Sequence, residues 1–142
     1  MKKQKFYRAM ALCLTLLMVL STTVFAAESR ASEYLSAFSA TAAKTRDGDI
    51  AVSCSVTGSK KMDSIGVSRI EIQWYNGSRW TTEEIYTSSD LSNLQASNSI
   101  YVSGKFIHTP EESGSYRALV TVYAEDGSGS DSRVVTTATV KI

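Results

Sequence analysis

From Tyr116 to Ala124 every second side chain (Tyr116, Ala118, Val120, Val122, Ala124) is apolar or aromatic, while Arg117, Thr121 and then Glu125 fall on the other side. A two-residue period of this kind buries one face of an extended strand and wets the other. The same alternation recurs at Ile50-Val52-Cys54-Val56 and at Ile70-Ile72-Trp74, so both stretches predict half-buried strands with Cys54 and Trp74 inward. Tyr34 to Ala42 places Tyr34, Phe38, Ala40 and Ala42 on one side and reads as a first strand, although its alanines also suit a helix. Ile100 to Phe106 reads as a strand with Ile100, Val102 and Phe106 inward, and Arg133 to Ile142, rich in Val and Thr, as the last one.

Between these runs lie turn-formers. Asn76-Gly77 predicts a tight two-residue hairpin, because both residues tolerate positive φ. That turn pairs Tyr75 with Ser78 and Gln73 with Trp80, which sets Trp80 on the outer face; a slip of one residue turns it inward. Thr57 to Ser68 reads as a connection with Met62, Ile65 and Val67 tucked under the sheet, and Thr87 to Ser99 as a polar link anchored by Leu91 and Leu94. Pro110 marks the turn before Gly114, and the acidic, Gly-bearing segment Glu125–Asp131 reads as a hairpin loop rather than a calcium loop, because it lacks the alternating ligands and final glutamate. Seven to eight short strands without a convincing helix predict an all-β, antiparallel sandwich.

The first residues change the picture of charge and location. Lys2, Lys3, Lys5 and Arg8 precede an apolar run from Ala9 to Leu20, and Val24-Phe25-Ala26 suits signal-peptidase cleavage, so residues 1–26 read as a signal peptide that takes Cys13 with it. The run is too short for a bilayer span. Residues 27–33 read as a flexible arm and 34–142 as the one folded domain. Removing the four leader cations leaves 11 basic against 14 acidic residues, a balance of −3 that gives no electrostatic reason to bind nucleic acid or an anionic membrane. The chain is therefore expected to be secreted, either free or loosely associated with the cell wall.

Candidate chemistry is sparse. Cys54, the one cysteine left after cleavage, has no bridge partner and no neighbouring cation to make it a thiolate. His108, the sole histidine, lacks a second ligand for a metal and is expected as an ordinary residue at a strand end. Glu83-Glu84 and Glu111-Glu112 are adjacent pairs, whose members diverge in extended chain and are expected to be solvated. No GxSxG or phosphate-binding loop is present, so no catalytic residues, metal site or cofactor are assigned. By alternation Tyr75, Leu119, Tyr123 and Val135 face outward, and Tyr75, Trp80 and Tyr123 are the candidate binding residues for a protein or carbohydrate at the cell surface.

The pattern Glu112-x-Gly114-x-Tyr116, with small Ala118 two residues on, resembles the tyrosine corner of immunoglobulin-like and fibronectin type III sandwiches. The resemblance implies a structural role for Tyr116, whose hydroxyl should bond backbone a few residues upstream, and for Trp74, like the buried tryptophan of immunoglobulin domains. It sets Cys54 at the first position of the immunoglobulin disulfide, but Ala118 occupies the second, so the bridge is absent. Beyond the superfold, Lys61–Gly66, Asn76-Gly77-Ser78 before Trp80, and Tyr116 through Tyr123-Ala124 to Asp131 are similar to small single-domain exported proteins of Gram-positive bacteria. That family brings no functional residues with it. The expectation is a non-catalytic module binding near the cell envelope, with assembly into the envelope through an edge strand as the alternative and an extracellular hydrolase least favoured.

Overall fold

The alternating runs at Ile50–Val56 and Ile70–Trp74 belong to a single strand of 26 residues. The computed structural model describes residues 32–142; the signal peptide expected at 1–26, with Cys13 within it, and residues 27–31 of the expected arm lie outside them. The strands are β1 (Leu35–Lys44), β2 (Ile50–Tyr75), β3 (Trp80–Thr87), β4 (Gln95–His108), β5 (Ser115–Asp126), β6 (Gly129–Thr136) and β7 (Val140–Lys141). Every pairing is antiparallel, and the chain is all-β. A 3-10 turn at Ser92–Leu94 is the one helical element among the described residues.

The first half of β2, Ile50–Thr57, lies between β1 and β4. Its second half pairs with β5 from Ser64 to Trp74 and with β3 from Arg69 to Tyr75. β5 continues to β6 on its far side and holds β7 beside Ser115 and Tyr116, so all seven strands join in one hydrogen-bonded sheet. The stretch Thr57–Ser68, expected as a connection, is strand throughout because it carries the chain from one set of partners to the other.

That passage requires the buried face to switch. Ile50, Val52, Cys54 and Val56 are buried, then Ile65 and Val67, then Ile70 and Ile72. The register against β4 shifts between Thr57 and Met62, and against β5 between Val67 and Arg69, where Ser68 is an extra residue. The change of parity falls between buried Met62 and buried Ile65, and the single extra residue at Ser68 moves the following side chains across again and returns Ile70 inward. One buried cluster then unites both halves of β2 with Leu35, Leu91, Leu94 and the inner row of β5. Tyr116, Ala118, Val120, Val122 and Ala124 are all 0 % exposed, as the strict alternation of β5 requires.

Three local expectations differ. Ile100 is 52 % exposed instead of inward, since it stands opposite the slipped register between Thr57 and Met62 and no β2 residue faces it. The last strand begins at Gly129 and breaks at Thr137, whose N–H donates to the Ala118 carbonyl (2.9 Å) and whose hydroxyl accepts from the Ala118 N–H (3.0 Å). Val135 pairs with buried Val120 and is half-buried, whereas its neighbour Val134 faces outward and is 60 % exposed.

Candidate functional site

The β2–β3 hairpin closes on Asn76. Its Oδ1 accepts from the N–H groups of Ser78 and Arg79, both at 3.0 Å, and Gly77 takes φ +93°, which only glycine adopts freely. The loop therefore holds Asn76–Arg79 and pairs Tyr75 with Trp80, in place of the expected two-residue turn. Because the difference is two residues, the face is conserved and Trp80 stays outward. Its ring lies 5.3 Å from that of Tyr75, and the Arg117 guanidinium sits 4.4 Å above it. Arg117 Nε donates to Gln73 Oε1 at 2.8 Å, and Glu71 accepts from Thr82 (2.6 Å), Gln73 (2.9 Å) and Arg69 (2.9 Å). These donors, the Thr82 hydroxyl foremost, hold the Glu71 carboxyl down to about 2.

Tyr123 is not part of this group. It lies on β5 six positions beyond Arg117, roughly 20 Å along an extended strand, where its hydroxyl is 2.9 Å from that of Ser64. The outward candidates thus separate into a touching pair, Tyr75 and Trp80, and a distant single residue.

The inner side of the same hairpin carries a second network. β3 has one residue too many between the pairs Gln73–Thr82 and Ile72–Glu84, and Glu83 is that residue. A bulge re-aims its side chain, so the carboxylate leaves solvent and its side chain is 12 % exposed. Oε2 lies 2.7 Å from His108 Nε2, while Oε1 accepts from the Tyr116 hydroxyl (3.0 Å) and the Glu111 N–H (3.2 Å). A carboxylate only accepts, so Nε2 carries the proton, and the Tyr86 hydroxyl, 2.8 Å from Nδ1, donates to it in the neutral ring. His108 is 4 % exposed and bonded at both nitrogens, so it is a buried tie between strands and not the strand-end surface residue expected. The single Tyr116 hydroxyl proton is shared with the Glu112 carbonyl at 2.8 Å, four residues upstream, the geometry of a tyrosine corner. Burial first, and then the Glu83 carboxylate, push its phenol up to about 12.

Around this tie the surface opens into a cavity of about 150 Å³ lined by Trp74, Thr81, Thr82, Glu83, Glu111 and Glu112. Glu111, Glu112, Thr81 and Thr82 form an exposed rim, Trp74 is a half-buried wall, and no basic side chain lines it. Gly114, at φ +153°, packs against the indole: a Cβ there would come within 2.5 Å of Trp74 Nε1. The indole N–H is buried and has no acceptor among the described residues. Cys54 is buried and free, and burial pushes its thiol up to about 11, so it packs as a small apolar group. No group of ligands for a metal is present among the described residues.

Periodicity named Trp74, Trp80 and Tyr75 but missed Glu83, Glu111, Glu112 and Arg117. The one trace of Glu83 in the sequence is that Glu83-Glu84 interrupts the alternation between Thr82 and Tyr86. No protein-family model matches this chain, and neither a curated protein nor a solved structure matches it.

Proposed function

We infer that this protein is an exported, non-catalytic binding module that acts at or near the cell envelope, and that it engages a partner with its hairpin end. The observation that carries this reading is the acidic cavity: three carboxylates and an indole line it with no balancing cation. Carboxylates and an aromatic face together favour an ammonium or guanidinium group, and 150 Å³ has room for one such group. A lysine or arginine side chain of an envelope protein is the favoured ligand, with an amino sugar as the carbohydrate counterpart. Tyr75, 39 % exposed beside the Trp80 ring, extends the contact on the outer face.

Non-catalytic action is supported by the way the titratable groups are occupied. Both nitrogens of His108 and both oxygens of Glu83 hold partners from β3, β4, β5 and the turn between the last two, which fits a tie within the fold. The leader at residues 1–26 supports export. An immunoglobulin-like sandwich is the finer fold we favour, supported by the two sets of partners along β2 and by the tyrosine corner.

The test is a nuclear magnetic resonance titration with arginine amide in one arm and a glucosamine oligomer in the other. Shifts of the Trp74 indole and the Glu111 and Glu112 amides are expected, and they should vanish in a Glu111→Gln, Glu112→Gln variant. Equal responses of the variant and the wild type, or none from either ligand, would contradict the reading.

A further inference from the structure

Among the described residues five strands have a single partner; β7 is only two residues long, and three of the other four are visibly blunted. β1 carries an extra residue at Ser36 and β3 one at Glu83, which break their ladders, and the 3-10 turn lies along β4, where Asn93 Nδ2 donates to the Lys105 carbonyl at 2.9 Å. β6 has none of these devices. All eight of its residues pair with β5 without a register shift, it contains no proline or lysine, and among the described residues it pairs with no other strand.

The register decides which of its backbone groups face away. β5 and β6 meet at a two-residue turn closed by the pair Asp126–Gly129, so Asp131, Arg133 and Val135 bond back to β5 while Ser130, Ser132 and Val134 point N–H and C=O outward. At Ser132 those groups are held by flanking side chains. Its N–H donates to Asp131 Oδ1 (2.8 Å), its carbonyl accepts from Arg133 (3.0 Å), and Arg133 and Asp131 are themselves ion-paired. The Ser32 hydroxyl first, and then this pairing, keeps the Asp131 carboxyl below its ordinary range.

We propose that β6 is a self-association edge whose occupant is β6 of a second copy of this chain, running antiparallel about a two-fold axis through Ser132. In that arrangement residues 130, 132 and 134 of one strand meet residues 134, 132 and 130 of the other, and all their outward N–H and C=O groups become paired. Asp131 of each copy then lies opposite Arg133 of its mate. The ion pair now closed within one strand is exchanged for two between strands, so no charge is left unpaired. Val134, 60 % exposed, gains Ser130 of the other copy as its cross-strand neighbour. A single strand pairing buries less than the ~1,200 Å² of a standard interface, so the dimer is weak and concentration-dependent. This inference is independent of the acidic cavity, which lies on the opposite edge of the sheet beside β3.

Charge reversal tests it. Asp131→Arg alone places like charges opposite one another in a self-dimer, and so does Arg133→Asp alone, whereas an equimolar mixture of the two proteins restores both pairs. Analytical ultracentrifugation of the purified proteins should show wild type associating as its concentration approaches about 1 mM, each variant monomeric, and the mixture at least about tenfold tighter than either variant alone. A mixture that sediments as two monomers would overturn the proposal, as would a wild type that stays monomeric over the whole range. Ser132→Pro supplies the second arm: it deletes an outward N–H without touching the β5 ladder, so it should abolish association while circular dichroism remains that of wild type. Undiminished association of this variant would place the contact elsewhere and overturn the proposal too.

Discussion

Two glutamates on neighbouring strands do the same chemistry and have different consequences. Glu71 on β2 and Glu83 on β3 are each mostly shielded, with side-chain exposures of 18 % and 12 %, and each accepts three hydrogen bonds. The donors to Glu71 come from Arg69, Gln73 and Thr82, all within the β2–β3 hairpin. Those to Glu83 come from the end of β4, the start of β5 and the turn between them. What an ionised acceptor contributes to a fold depends less on how many donors it has than on how far apart in the chain those donors lie, because each distant one fixes an element that is otherwise free to move.

The contrast predicts a ranked series. Glu83→Ala should have the largest effect, about 2–4 kcal/mol, since it removes the acceptor of the buried His108 Nε2–H and of the Glu111 N–H and leaves the Tyr116 hydroxyl only the Glu112 carbonyl. Urea unfolding monitored by tryptophan fluorescence measures it, and a loss below about 1 kcal/mol would erase the distinction between the two glutamates. Glu83→Gln should cost less, because the amide oxygen still accepts from Tyr116 and His108 can change tautomer toward the amide N–H.

Tyr116→Phe comes next, at about 1–3 kcal/mol, because it takes the shared hydroxyl proton from the Glu112 carbonyl and the shielded Glu83 carboxylate while keeping the ring packed. The denaturant midpoint should fall with the slope unchanged; coincident midpoints would mean the corner carries no stability. On the outer face, Trp80→Ser should cost about 1–2 kcal/mol, the sum of its contact with Tyr75 and the guanidinium of Arg117. If the loss is as large as for Glu83→Ala, the outer face is as integral to the fold as the inner network.

Glu71→Gln should have the smallest effect, about 1 kcal/mol at neutral pH once solvent screening is allowed for. The folded carboxyl titrates at about 2, below its ordinary 4.5. Its contribution is therefore complete above pH 4.5 and is lost as the pH falls toward 2. The stability difference between wild type and variant should shrink across that window, and a difference that grows on acidification would reverse the assignment.

The sequence shows β5 plainly because alternation is local: each inward residue is named by its neighbours two positions away. It shows the first half of β2 for the same reason. It shows Ile70–Trp74 too, but the middle, Thr57–Ser68, is hidden by Ser68 and by the slip after Thr57, since a bulge exists only with respect to a partner strand. Glu83 and His108 were illegible on the same grounds: a solvated pair and a strand-end residue by sequence, they become buried only when β3, β4 and β5 meet. Trp80, which the sequence leaves open between the two faces, lies outward because the loop exceeds a two-residue turn by an even number of residues.

Those differences separate a structural carboxylate from the two proposed to meet a ligand. Glu83 ties the fold, while Glu111 and Glu112 stand exposed on the rim of the cavity it anchors. The most direct measurement is to record the urea midpoint and the affinity for arginine amide on the same two proteins, Glu83→Gln and the Glu111→Gln, Glu112→Gln variant. The account predicts that the rim variant keeps the wild-type midpoint and loses binding by at least about tenfold, whereas Glu83→Gln unfolds earlier. A rim variant that binds arginine amide as wild type does would contradict the central claim that this acidic end of the molecule is its binding site.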